Sequence, residues 1–239
     1  MTRFFNITHK LFSGLDLLFP PNCAGCKNPG HRWCPDCEEN TPKITENICL
    51  HCGLPHTNSG QCMSCRNNPP SYTAARAWGF HTGPLRKAVH QLKYQRDIAL
   101  GEKLAEYLEK LLSNQNWKID LILPIPLAKR RMKKRGYNQA VLLAYPLAHY
   151  LDLEYSSKAL IRNRETRTQI GLNRYERREN VKNAFAPNSN MVKEKNILLV
   201  DDVITTGATL DSASKSLLAA GANSVYAATL ARAASLLQK

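Results

Sequence analysis

The stretch Ile197 to Leu210, ILLVDDVITTGATL, sets the tightest limit on how this chain can fold. Ile197, Leu198, Leu199 and Val200 run together without polar alternation, as in a parallel strand covered on both faces. Two carboxylates follow at once, Asp201 and Asp202, then two apolar residues and Thr205-Thr206-Gly207-Ala208-Thr209. Leu210, Ala213, Leu217 and Ala220 next recur at helical spacing, and Gly221 ends the pattern. The order is strand, loop, helix, with the loop at the carboxyl end of the strand, where open α/β sheets bind ligands. Small residues leave backbone N–H groups bare at the helix N-terminus, which makes a phosphate cradle, and the threonine hydroxyls add donors. The acid pair would repel that phosphate and suits neutral hydroxyls instead. A ribose 5-phosphate satisfies both halves. A receiver domain would need more chain after the acids, and an ATPase would need a G-x-x-x-x-G-K-[ST] loop, which the sequence lacks.

A hydrophobic run, two acids, two apolar residues and Thr-Thr-Gly with a small residue resemble the PRPP-binding motif of type I phosphoribosyltransferases. The resemblance implies that Asp201 and Asp202 bind the ribose hydroxyls of phosphoribosyl pyrophosphate (PRPP). It also implies that Thr205, Thr206, Gly207, Ala208 and Thr209 bind the 5′-phosphate, and that magnesium accompanies the pyrophosphate.

All eight cysteines fall in four C-x-x-C pairs: Cys23/Cys26, Cys34/Cys37, Cys49/Cys52 and Cys62/Cys65. Two such turns supply the four sulfurs of a tetrahedral zinc site. The segment has no apolar run long enough for its own core, so structural zinc is expected to supply much of its folding energy. Trp33-Cys34-Pro35-Asp36-Cys37 looks like a thioredoxin-type redox motif, but it is one pair of four in a row. A disulfide framework needs an export signal, and the opening MTRFFNITHKLF has no clean apolar core or cleavage site. Sequential pairing into two stacked ribbons is favoured; cross-brace pairing and one site with four spare thiols stay open. His31, His51 and His56 lie close enough in sequence to substitute for a cysteine.

A chain of 239 residues suits one α/β domain plus a small module. We expect an amphipathic helix within residues 1–22, with Phe4, Leu11, Leu15 and Leu18 on one face. A zinc-ribbon module follows over 23–68, and a phosphoribosyltransferase-like domain over 71–239. The linker is Asn67-Asn68-Pro69-Pro70. The net charge of +14 suits phosphate-rich ligands or nucleic acid. No apolar run reaches the roughly 18 residues of a membrane span, and a cytoplasmic location is expected.

Strands are expected at Tyr72 to Phe80, Ile119 to Ile125, Leu153 to Leu160 and Ser224 to Leu230. Helices are expected from Gly83, around Leu100 to Leu111, and after Asn138, where Pro146 should kink or break the last. Lys129, Arg130, Arg131, Lys133, Lys134 and Arg135 form a basic loop after a core strand. By resemblance Leu127 to Arg130 matches the pyrophosphate loop, which makes Lys129 and Arg130 PRPP contacts. The surplus cations suit a nucleic-acid backbone. The arginine-rich Ile161 to Phe185 resembles the mobile catalytic loop of amidophosphoribosyltransferase-like enzymes, with Arg167 (catalytic) and Thr168 as the candidates for reaching the pyrophosphate.

The paired knuckles, LKY (Leu92 to Tyr94), PIP, RGYNQ (Arg135 to Gln139), RTQIGLNRYERRENV and VDDVITTGAT, in that order, are similar to the ComF/GntX family. The resemblance implies a type I phosphoribosyltransferase fold, a parallel sheet flanked by helices, behind a cysteine-rich double zinc ribbon. It implies a role in natural competence, where imported single-stranded DNA is handled during transformation. Expected partners are PRPP or another ribose 5-phosphate ligand, single-stranded DNA, and a competence helicase or other competence protein. The enzymatic reading is phosphoribosyl transfer to a nitrogen nucleophile. The alternative is a non-catalytic PRPP sensor or DNA- or helicase-binding adaptor, with Tyr72, Trp78, Tyr94 and Tyr137 as base-stacking candidates.

Overall fold

Residues 20–45, 47–56, 60–164, 176, 180, 181 and 183–233 are described by the computed structural model. Most of the expected N-terminal helix, and Arg167 with Thr168, lie outside these residues. In chain order the ribbons carry α1 (Pro35–Glu39) and α2 (Met63–Asn67). The body begins with β1 (Ala74–Phe80), α3 (Gly83–Tyr94), α4 (Ile98–Ser113), β2 (Leu121–Pro124), α5 (Lys129–Arg135) and α6 (Gln139–Tyr150). It continues with β3 (Glu154–Tyr155), β4 (Leu160–Arg162), β5 (Phe185–Pro187), α7 (Ser189–Val192), β6 (Asn196–Ile204), α8 (Ala208–Ala219) and β7 (Ser224–Arg232).

Five strands pair in parallel in the order β1-β7-β6-β2-β3. The first strand of the sheet therefore lies against the last, with Ala74 opposite Tyr226. Ile197 to Val200 of β6 are fully buried, and their side chains divide between two cores. Leu198 and Val200 join a cluster containing residues of α3, α4 and α6. Ile197 and Leu199 join one containing Leu210, Ala213 and Leu217 of α8. This double coverage is why the strand shows no alternation; each such burial is worth about 1.5–3 kcal/mol. The strand continues through both acids to Ile204, so Asp201 and Asp202 are strand residues and not part of the loop.

The cysteine-rich segment covers the outer edge of β1. Ile44 N–H donates to Trp78 O (3.2 Å), Phe80 N–H to Pro42 O (2.9 Å) and Ala75 N–H to His51 O (2.7 Å). An edge strand that would otherwise present bare donors and acceptors is closed by these bonds.

Two local expectations need correction, and one of two alternatives is removed. The helix α6 runs through Pro146 to Tyr150, so Pro146 does not break it. Proline removes one helical bond, to the Leu142 carbonyl. Close packing holds the helix together at that level: a Cβ on Gly101 of α4 would come within 2.8 Å of Leu142 O. The stretch Leu153 to Leu160 is not one strand. Ser156 Oγ accepts from Lys158 N–H and Ala159 N–H (3.1 Å each), a turn that ends β3. The chain leaves the sheet there, and β4 pairs antiparallel with β5. Lastly, the basic segment after β2 is the helix α5, closed by Gly136 at φ +74°. Among the described residues no helix is long and apolar enough to cross a membrane.

Candidate functional site

The eight thiols gather into two groups in chain order: Cys23, Cys26, Cys34 and Cys37, then Cys49, Cys52, Cys62 and Cys65. Within each group all sulfurs lie within 4.8 Å of one another. Cys23–Cys37, Cys26–Cys34 and Cys52–Cys62 Sγ separations are 3.6, 3.7 and 3.8 Å. A tetrahedron with zinc–sulfur bonds of about 2.3 Å has edges of about 3.8 Å, so the geometry fits zinc. The first thiol of each ribbon is prepared as an anion. Burial alone would raise both Cys23 and Cys49, but backbone N–H groups donating to their sulfurs bring each down to about 6. The three candidate histidines stand outside both groups. His51 bonds the Tyr72 carbonyl, and His56 the Gly60 carbonyl at 3.3 Å.

Two buried arginines bind carbonyls of the second ribbon: Arg76 Nη1 donates to Leu50 O at 3.1 Å, and Arg232 Nη2 to Cys52 O. Burial works against their charge, and the neighbouring thiols Cys49 and Cys52 support it. Such a cation pair suits a tetrathiolate metal centre, which carries a net negative charge. The same ribbon borders the phosphate loop, since Cys62, Ser64 and Cys65 share a small pocket with Thr206 and Gly207. In the segment that follows the ribbon, Ser71 N–H donates to Asp211 Oδ1 (2.6 Å), and the Tyr72 hydroxyl lies 3.1 Å from where a Cβ on Gly207 would stand.

At the carboxyl edge of the sheet a cavity of about 280 Å³ opens beside the ends of β2 and β6. Asp201, Asp202, Thr205, Gly207, Ala208 and Thr209 line it, whereas Thr206 lies towards the second ribbon. Gly207 caps α8 at φ +80°, a left-handed conformation that favours glycine and lets the chain turn from strand into helix. The 12-residue α8 thus directs its amino end at the cavity. Asp202 is 4% exposed, and its Oδ2 lies 2.8 Å from Lys93 Nζ. Its N–H donates to Asp201 Oδ1 at 2.9 Å. Burial, then the Asp202 charge, hold Asp201 well above the usual carboxylate range, with the Asp202 N–H and Lys93 opposing.

The far wall is cationic. Arg131 and Arg135 of α5 and Arg162 of β4 line it, with Gln139 at the start of α6. Arg135 donates to Gln139 Oε1 (2.7 Å) and lies over the Tyr94 ring at 5.2 Å. Among the described residues Arg131 Nη2 is buried without a hydrogen-bond partner, a donor suited to an anion. Lys129 and Arg130, expected to contact PRPP, are exposed and do not line the cavity. Sequence reading missed His81, Lys93 and Arg162, which come from distant elements. For Lys93 a usable signal was present, since it is the central residue of LKY.

Residues 14–66 match the double zinc ribbon domain family, and residues 90–238 match the phosphoribosyl transferase domain family. The chain is 34% identical over 227 residues to "DNA utilization protein YhgH" of Escherichia coli (strain K12), covering 90% of this chain and 99% of that protein. It is 34% identical over 223 residues to "Competence protein F" of Haemophilus influenzae (88% and 96% covered). It is 27% identical over 225 residues to "Competence protein ComFC" of Bacillus subtilis (85% of each).

Proposed function

The chain belongs to the ComF/GntX family, a double zinc ribbon joined to a phosphoribosyltransferase domain, and on that premise we propose that it binds PRPP with magnesium. In this reading it transfers the phosphoribosyl group to a nitrogen nucleophile, in the cytoplasm, within the DNA handling that its relatives' names describe. One observation carries the reading: acids, phosphate loop and three arginines surround a single cavity.

The phosphate loop and the α8 N-terminus hold the 5′-phosphate, and the acid pair holds the ribose hydroxyls. Arg131, Arg135 and Arg162 face the pyrophosphate and stabilise the charge that grows on it as the C1–O bond loosens. Magnesium, when bound with the pyrophosphate, supplies further charge neutralisation. Arg167 is assigned to the same end by resemblance. Calorimetric titration of PRPP and magnesium tests the reading. We expect wild-type binding, and affinity at least about thirtyfold weaker in Asp201→Asn/Asp202→Asn. Equal affinity in the variant, or no binding by the wild type, overturns it.

A second reading, binding of single-stranded DNA, is supported by a separate surface. A groove of about 570 Å³ between the first ribbon and α3 is lined by Lys27, Arg86, Lys87 and His90, with no acid among the described residues of its wall. Further along α3, outside the groove, Tyr94 is 57% exposed, with the His90 ring centroid at 4.6 Å and the Arg135 guanidinium over its ring. The other stacking candidates are engaged. Tyr72 is buried, Trp78 stacks on Tyr107 (4.4 Å), and the Tyr137 hydroxyl donates to Leu92 O (2.6 Å). Arg86→Glu/Lys87→Glu should lower oligonucleotide affinity about tenfold and flatten the salt slope by about 1.4, measured by fluorescence anisotropy across a salt series. An unchanged slope removes this surface from consideration.

A further inference from the structure

We propose, resting on the PRPP reading above, that His81 is a catalytic residue on the acceptor side of the cavity, where its ring takes the proton that a nitrogen nucleophile gives up as it attacks C1. A single displacement at carbon needs the nucleophile and the leaving group in line on opposite sides. The strand order β1-β7-β6-β2-β3 supplies two such sides. The acid pair lies near the carboxyl end of β6. On one flank is β2, and α5 after it brings Arg131 and Arg135 to the pyrophosphate end. On the other flank are β7 and then β1, and His81 follows β1 directly. A ribose held by both acids, with its pyrophosphate toward α5, turns the opposite face of C1 toward that second flank.

Strand register sets the height of His81. Phe80 pairs with Arg232, and Arg232 with Ile204. The His81 N–H donates to the Arg232 carbonyl at 2.7 Å. His81 therefore leaves the sheet at the level where β6 passes into the phosphate loop, two strand spacings or roughly 10 Å away. Its side chain lines the same cavity as the acids and the loop, and the interval leaves room for an acceptor between ribose and imidazole.

The ring suits the task. It is half-buried and makes no hydrogen bond among the described residues. The charged groups that face it are Lys93 and Arg86 of α3 and Asp202 of β6. Arg232 of β7 directs its guanidinium to the Cys52 carbonyl instead. Burial first, then Lys93, hold the imidazole below the ordinary histidine value, with Arg86 adding to this and Asp202 opposing it. His81 is therefore uncharged at about pH 7, with a lone pair free for a proton. Lys93 is engaged by Asp202 at 2.8 Å, and both acids serve the ribose. In the step itself the nitrogen lone pair forms the N–C1 bond, and the C1–O bond breaks with its electrons leaving on pyrophosphate. The N–H proton passes to the His81 ring, which returns it to solvent when the products leave.

The test uses the full-length, zinc-loaded protein with PRPP and magnesium. Wild-type pyrophosphate release, with water or with adenine as the probe acceptor, should fall as the pH drops through the His81 pKa. His81→Gln should slow release about a hundredfold, remove that acid limb, and leave calorimetric PRPP affinity within about threefold. Nitrogen NMR of isotope-labelled histidines, with His81 assigned by its absence from the variant, should show its ring signals move when PRPP and magnesium are added. A variant with the wild-type rate or the wild-type acid limb overturns the proposal, and so do ring signals that PRPP leaves unmoved. A variant that loses affinity as much as rate shows a structural role and overturns it too. A wild type that binds PRPP but releases pyrophosphate to neither probe overturns the catalytic role and leaves the binding reading standing. A wild type that binds no PRPP overturns both.

Discussion

Cys62→Ser should reduce the zinc content from two ions per chain to one and lower Tm by at least about 10 °C, by metal analysis and thermal melting. A structural zinc contributes about 10–16 kcal/mol to small ribbon folds. That is comparable to the net stability of a typical domain, about 5–15 kcal/mol. Here the loss spreads beyond the ribbon. Arg76 and Arg232 are buried beside the second thiol group and bond its backbone carbonyls. Without a negatively charged metal centre, two guanidinium ions lose their neighbouring counter-charge. The second ribbon also borders Thr206 and Gly207, so the phosphate loop loses support as well. A one-zinc protein with wild-type Tm would show that the second centre is not structural.

Arg131→Met/Arg135→Met should weaken PRPP binding on the order of a thousandfold, while ribose 5-phosphate affinity changes less than about threefold. Each charged hydrogen bond to the pyrophosphate contributes about 1.5–3 kcal/mol, and two are removed. Ribose 5-phosphate has no pyrophosphate and does not use that wall. Arg130→Met is the control, expected within about twofold of wild type, since Arg130 is exposed and does not line the cavity. Calorimetry with both ligands distinguishes loss of one wall from general unfolding. Equal losses for the two ligands would refute the assignment of Arg131 and Arg135 to the pyrophosphate.

The contrast between Arg130 and Arg131 also shows where sequence reading reached its limit. A basic run read as a loop offers no reason to prefer one cation over another. Once the run is a helix, each residue turns about 100° from the last, and positions 131 and 135 share a face that 129 and 130 do not. The strand, the loop, α8 and the thiol pairing were legible because each is set by neighbours a few residues apart. His81 and Arg162 were not, because they reach the cavity through tertiary packing of the segment after β1 and of β4; Lys93 was marked by LKY, but its place at the cavity was not. That Pro146 does not break α6 was likewise not legible, because the helix packs closely against Gly101, far away in sequence. The end of β3 was decided by a single hydroxyl, that of Ser156.

The pairing of β1 with β7 has a consequence for how the protein is made. Ala74 and Tyr226 are neighbours in the sheet but 152 positions apart in the chain. At about 5–20 residues per second, the ribosome needs roughly 8–30 seconds to deliver the second after the first. Throughout that interval β1, an apolar strand, has no partner on its inner side. The cysteine-rich segment, synthesised before it, can already cover the outer side. Metal supply during synthesis therefore sets how much sticky strand a growing chain exposes, and a zinc-starved cell should lose this protein to aggregation before it loses any activity of the finished molecule.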